Sequence, residues 1–267
     1  MKALSLNQLK CIERDILVYF KAFCEENNLH FFLSNGTLLG AVKYHGFIPW
    51  DDDVDVLVPR ADYDRLLALF KDSQRYRLFS PERNHGYRFP FAKLCDMTTL
   101  KIEDNLDDGV ELGVNIDIFP LDQWANEKSM AVKQSQKIQK YIRMLTFMKY
   151  KKADSRQKLK RIIKSIAIRI LHPFYSVPIR KIAQIADSNN HRNLSCYKGC
   201  VVWCVYGERE ILPSSIFNGS VPVEFEGELY PAPIGYVDYL SSLYGEYQLD
   251  PPLEAQVTHH RFNAYIR

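Results

Sequence analysis

The sequence predicts an α/β (α+β) fold, a mixed sheet with flanking helices, from three patterns. First, Leu4 to Asn28 carries apolar residues at helical spacing, Leu9, Ile12, Ile16, Val18, Phe20 and Phe23, behind a Ser5 N-cap. Second, a short apolar run, His30 to Ser34, leads through Asn35 and Gly36 into a short helix over Thr37 to Val42, giving the order strand, turn, helix. Third, two segments alternate with period two. In Asp53 to Val58, Asp53 and Asp55 share one face while Val54 and Val56 point to the core. In Val114 to Phe119, Val114, Ile116 and Ile118 share one face and Asn115, Asp117 and Phe119 the other.

The remaining elements follow in order. Gly46 and Pro49 break the chain before the second strand, and Ala61 to Phe70 reads as an amphipathic helix. Tyr87 to Leu94, Thr98 to Glu103 and Gly113 to Phe119 read as strands, the last ended by Pro120. Asn126 to about Asn190 is helical and basic, divided by Pro173 and Pro178, with an apolar stripe of Leu159, Ile162, Ile163, Ile166, Ile170 and Leu171. Gly199 to Tyr206 reads as a buried strand, Pro213 to Pro233 as loop with a little strand, and Tyr236 to Tyr244 as a short helix. The division expected is a core over residues 1–125, a basic helical insertion over 126–195, and a segment over 196–267 that completes the same unit.

At 267 residues, 46% hydrophobic and 25% charged, the chain has the composition of a globular protein able to bury one substantial core. Its net charge of +3 conceals an asymmetry. Between Lys128 and Arg192 there are 17 Lys and Arg against only Asp154 and Asp187, whereas the rest of the chain has 18 basic residues against 30 acidic ones. That block is either a solvated helical face or a surface for anionic lipid, nucleic acid or a polyanionic substrate. Six scattered cysteines and the lack of a leading signal segment suggest a reducing, cytoplasmic setting. Cys196, Cys200 and Cys204 fit no common zinc spacing and read as small buried hydrophobes. No run reaches the roughly 18 apolar residues needed to span a bilayer, so membrane contact is expected to be peripheral.

The most informative stretch runs from Asn35 to Pro59. It joins the Gly36–Thr37 turn to Asp51, Asp52, Asp53 and Asp55 at the mouth of a strand. Two carboxylates on one strand face repel, and a divalent cation keeps both ionised; oxygen ligands favour Mg²⁺ or Mn²⁺ over Zn²⁺. Gly36 lets backbone approach a phosphate, with a helix N-terminus behind it. With Asp117 on a later strand, as metal ligand or base, the parts of a phosphoryl-transfer site are present. Trp50 either braces the loop or packs on a nucleobase or quaternary ammonium. Tyr230, Tyr236, Tyr244 and Tyr247 either fill core or add to such a cage.

This ordering resembles the nucleotidyltransferase-fold superfamily, with Thr37 in place of the usual serine. The longer string GTLLGAVKYHGFIPWDDDVDV, Gly36 to Val56, is similar to the LicD family of phosphocholine transferases, related to fukutin-type ribitol-phosphate transferases. The likeness continues in FAKLCDMTT (Phe91 to Thr99), NIDIFPLD (Asn115 to Asp122), and from YGEYQLDPP at Tyr244 to the pair His259–His260. Only the helical middle matches no motif. The resemblance implies a nucleotidyltransferase-like mixed sheet, and transfer of a phospho-alcohol from CDP-choline or another CDP-alcohol to a sugar hydroxyl of a cell-surface glycan, either free or lipid-linked, with CMP released. It implies Asp53, Asp55 and Asp117 at a Mg²⁺ or Mn²⁺ ion, with Asp51 as an outer-sphere or proton-handling neighbour. Gly36, Thr37 and Lys93 would contact donor phosphate, and one of His259 and His260 would face the site. Asp52 is expected to have a structural or solvent role. Nucleic acid is not expected as a partner. The alternatives are nucleotidyl transfer from a nucleoside triphosphate and a non-catalytic membrane- or nucleic-acid-binding module.

Overall fold

A computed structural model describes residues 1–153, 158–191, 195–258 and 262–267. Helix α1 (Leu6–Glu26) starts at Ser5 in a capping box with Gln8 and buries Leu9, Ile16, Leu17 and Phe20 against the sheet. The chain passes β2 (Phe32–Leu33), α2 (Asn35–Tyr44), β3 (Asp55–Pro59), α3 (Arg60–Leu69), β4 (Tyr76–Phe79), β5 (Ala92–Glu103) and β6 (Leu112–Gln123). Strand β1 (Lys2–Ala3) precedes α1. Three helices follow, α4 (Lys128–Lys149), α5 (Lys158–Leu171) and α6 (Ser176–Asn190). The C-terminal part comprises β7 (Tyr197–Gly199), β8 (Leu212–Pro213), the hairpin β9 (Ser220–Phe225) and β10 (Glu228–Pro233), α7 (Tyr236–Tyr244) and β11 (Phe262–Ile266).

The main sheet is mixed, with the path β1-β11-β5-β6-β3-β2. Its central pair, β3 and β6, is parallel and sets Asp55 opposite Asp117. Strand β5 runs antiparallel to β6 on the other side and sets Lys93 opposite Asp117. Val54, Val56, Val114, Ile116 and Ile118 are fully buried, as the alternation requires. Helices α4 and α6 add Ala131, Ile138, Ile142, Ile182 and Ala186 to the core of the sheet.

Several elements differ from the sequence reading. Helix α2 begins at Asn35, so Gly36 and Thr37 lie in its first turn instead of before it. Strand β3 begins at Asp55, because the Asp55 N–H donates to Thr37 Oγ1 at 2.8 Å; Asp53 lies on the approach to the strand. Residues 87–91 are not strand: the rings of Tyr87, Phe89 and Phe91 pack tilted against one another in a loop. Beyond it β5 is continuous to Glu103, where two strands were expected. Thr99 bridges its bend, donating to Asp96 O and accepting from Val114 N–H.

Strand β6 continues through Pro120. Asp117 N–H points to Val54 O, just before β3, so Pro120, which has no N–H, faces the β5 side, where the ladder has ended at Ile118. Pro173 does break the helical stretch, whereas Pro178 sits in the first turn of α6, where a missing N–H costs nothing. The expected strand from Gly199 to Tyr206 is mostly tight turns, in which Val201, Val205 and Gly207 donate to carbonyls two or three residues back. Val201, Val202 and Cys204 of that run are buried against the core, whereas Val205 and Tyr206 are exposed. Strands β4 and β11 were not anticipated, since each is short and one-sided in polarity.

Candidate active site

The acidic wall of the site is assembled by the β3–β6 pair and the loop before β3. Asp51, Asp53, Asp55 and Asp117 line one cleft of about 610 Å³, together with Asn35 and Gly36 from the start of α2. Carboxylate oxygens of Asp51, Asp52 and Asp53 lie within 4.8 Å of one another, Asp52 being buried. A Cβ at position 36 would lie 2.6 Å from Asp51 Oδ2, so a side chain there would displace that carboxylate.

The orientation of each acid is fixed by a neighbour. Asn35 takes a left-handed backbone conformation (φ 46°), which asparagine tolerates, and its Nδ2 donates to Asp55 Oδ2 at 3.0 Å. Tyr239 Oη in turn donates to Asn35 Oδ1 at 3.0 Å. Asp117 Oδ1 accepts from Asn115 Nδ2 at 2.6 Å and from the buried ammonium of Lys93. Burial, then the charges of Asp53 and Asp117, pushes the Asp55 carboxyl well above the usual carboxylate range. Burial and the charge of Asp53 push Asp51 up to about 7. Such a cleft holds more negative charge than its own cations neutralise, and its all-oxygen donor set suits a hard divalent ion.

An aromatic wall faces the acids. Tyr44, Trp50, Trp203, Tyr206, Tyr244 and Tyr247 line the same cleft. Trp50 meets Tyr44 edge to face at 6.3 Å, and Tyr206 meets Tyr244 the same way at 5.5 Å. The strap after α7 is held over α2 by Asp250, which accepts from Lys43 Nζ at 2.5 Å and from Tyr44 Oη.

Of the residues expected at the site, Asp53, Asp55, Asp117, Gly36 and Trp50 line the cleft, with Asp51. Thr37 is buried beneath it, its hydroxyl engaged by Asp55 N–H. Lys93 is also buried, against Asp117 and over the ring of Phe89. His259 and His260 lie outside the described residues. Tyr244 and Tyr247 line the cleft, whereas Tyr230 is core and Tyr236 packs against it. Cys200 and Cys204 are buried as expected but Cys196 is exposed, because it precedes the short strand β7 and does not pack beneath it. Asn35, Asn115, Tyr44 and Tyr206 were not singled out; only Asn115 carried a signal, its shared strand face with Asp117.

Comparison with known proteins agrees with this geometry. The profile described as LicD/FKTN/FKRP, nucleotidyltransferase domain, matches residues 28–143, which contain Asp51, Asp53, Asp55 and Asp117 of the cleft. Over 270 residues, the whole of both chains, the sequence is 32% identical to a Haemophilus influenzae protein named lipopolysaccharide cholinephosphotransferase LicD. The chain belongs to the LicD family. Shorter likenesses to uncharacterized proteins are 41% identity to one of Rickettsia prowazekii over 104 residues and 38% to one of Rickettsia typhi over 73. These cover 38% and 26% of this chain, and 33% and 21% of theirs. The full-length LicD likeness extends across the helical insertion, in which no motif had been found.

Proposed function

We propose that this chain is a metal-dependent transferase that moves phosphocholine, or a similar phospho-alcohol, from a CDP-linked donor to a sugar hydroxyl of a cell-surface glycan such as lipopolysaccharide. The observation that carries the proposal is one cleft with an acidic wall and an aromatic wall, in a chain similar from end to end to a lipopolysaccharide cholinephosphotransferase. Asp53, Asp55 and Asp117 are the residues assigned to Mg²⁺ or Mn²⁺, which when bound neutralises the diphosphate and orients an in-line displacement. Lys93 and Asn115 hold Asp117, and Asn35 holds Asp55, so that one oxygen of each is committed to protein and the other is left to the cleft.

In the reaction the acceptor oxygen forms a bond to the phosphorus distal to the nucleoside, the bond to CMP breaks, and the hydroxyl proton must leave. Asp51, with its carboxyl held up to about 7, is the group suited to take that proton near neutral pH. The aromatic wall serves the donor, either stacking on cytosine or meeting a trimethylammonium through cation–π attraction.

The test is calorimetric titration with CDP-choline, CDP-ribitol, CDP-glycerol and CTP, each with and without Mg²⁺, followed by turnover of the CDP-alcohol that binds. Asp55→Asn is expected to fold normally and to lose about 10²-fold or more in turnover, as removal of a charge-stabilising group does. Binding of CTP alone would replace the proposal with nucleotidyl transfer, and full turnover by Asp55→Asn would overturn the site.

A further inference from the structure

The helical insertion presents an apolar face outward. In α5, Leu159, Ile162, Ile163, Ile166 and Ile170 fall within an arc of about 100° at 3.6 residues per turn. Each is between 55% and 70% exposed, and Phe174 just beyond the helix is similarly open. Among the described side chains of α5, Ile168, on the opposite side, is the one that is buried. The helix therefore docks by its back. The turn that follows it is pinned by His172, whose Nε2 lies 3.1 Å from Asp107 Oδ2 and 2.8 Å from Arg88 Nη1.

Lys160 and Arg169 flank the stripe on its two sides and Arg161 lies behind it, and α5 contains no acidic residue. The exposed Lys151 and Lys152 lie just upstream. We infer that α5 is an in-plane docking surface for an anionic lipid bilayer, its isoleucines entering the acyl boundary and its basic flanks meeting the headgroups. Charge decides between occupants. A second copy packed on the same stripe would set basic flank against basic flank, whereas anionic headgroups neutralise both.

Length and packing decide between lying on and crossing the bilayer. Among the described residues no single helix is long and apolar enough to cross a membrane; α5 and α6 pass that test only as a pair bent by 54°. Fourteen residues of α5 reach about 21 Å, short of a hydrocarbon core of about 30 Å. Helix α6 is committed elsewhere, with Ile182 and Ala186 in the protein core. None of the α5 residues lines the catalytic cleft, so the inference stands apart from the reaction assigned there.

The test is co-sedimentation of the full chain with phosphatidylcholine vesicles with and without phosphatidylglycerol, at low and high salt. The chain is expected to sediment with the anionic vesicles and to be released by salt. Combined Ile162→Ser, Ile166→Ser and Ile170→Ser substitutions should weaken binding about tenfold or more with the melting temperature unchanged, since all three sites are exposed. Lys160→Glu with Arg169→Glu should remove the preference for phosphatidylglycerol, about fivefold per charge, and keeps the test open should the first variant misfold. Absence of sedimentation at low salt, or undiminished binding by both variants, would overturn the inference. So would a lipid-free dimer in analytical ultracentrifugation that the isoleucine variant dissociates.

Discussion

Replacing Asp51 with asparagine should make the metal-free protein more stable, and only above a definable pH. Asn keeps the shape of the side chain and its Oδ1 can still accept the Asp52 N–H that Asp51 accepts at 3.2 Å. What it removes is the charge. Burial, and then repulsion from Asp53, raises the Asp51 pKa from 3.8 to about 7. Because the folded value is the higher one, the native state holds more protons than the unfolded chain between about pH 4 and 7, and stability falls as pH rises through that window. At about 1.4 kcal/mol per pH unit, ionising Asp51 costs the fold about 4 kcal/mol. Part of that cost is shared with the neighbouring acids, so the net gain expected for Asp51→Asn is about 2 to 4 kcal/mol. Urea unfolding in EDTA should therefore show little difference between variant and wild type near about pH 4, and the full gain above about pH 7. Equal gains at both values, or a variant less stable at the higher one, would refute the claim that Asp51 is a desolvated acid crowded by its neighbours.

Two further outcomes follow from the supports of the site. Thr37→Val leaves the Asp55 N–H without its acceptor, which should cost about 1 to 3 kcal/mol in urea unfolding and reduce turnover, while Thr37→Ser should behave like wild type. Lys93→Met leaves the Asp117 carboxylate to Asn115 alone, and should destabilise the metal-free protein by about 3 to 5 kcal/mol. Adding Mg²⁺ should restore part of that loss, because a bound cation takes over the neutralisation. Wild-type unfolding of Lys93→Met in EDTA would show that Lys93 is not what holds the Asp117 charge.

Much of this protein is determined by sequence alone, wherever a local pattern has a local cause. The Ser5–Gln8 capping box begins α1, the period-two runs around Asp55 and Asp117 make the central strands, and the string from Gly36 to Val56 is dense enough to point to the LicD family. Tertiary structure decided what depends on register between distant segments. Only the pairing of β5 with β6 turns Lys93 onto Asp117, and only the fold of α2 against β3 turns the Thr37 hydroxyl onto Asp55. Tyr44 and Tyr206 reach the same cleft from segments 162 positions apart, with no periodicity to announce it. Helix α5 shows the same division. Its sequence specifies an amphipathic helix, but the direction of its apolar stripe depends on which side finds a partner, and the protein fills its core with α4 and α6, leaving those isoleucines outside.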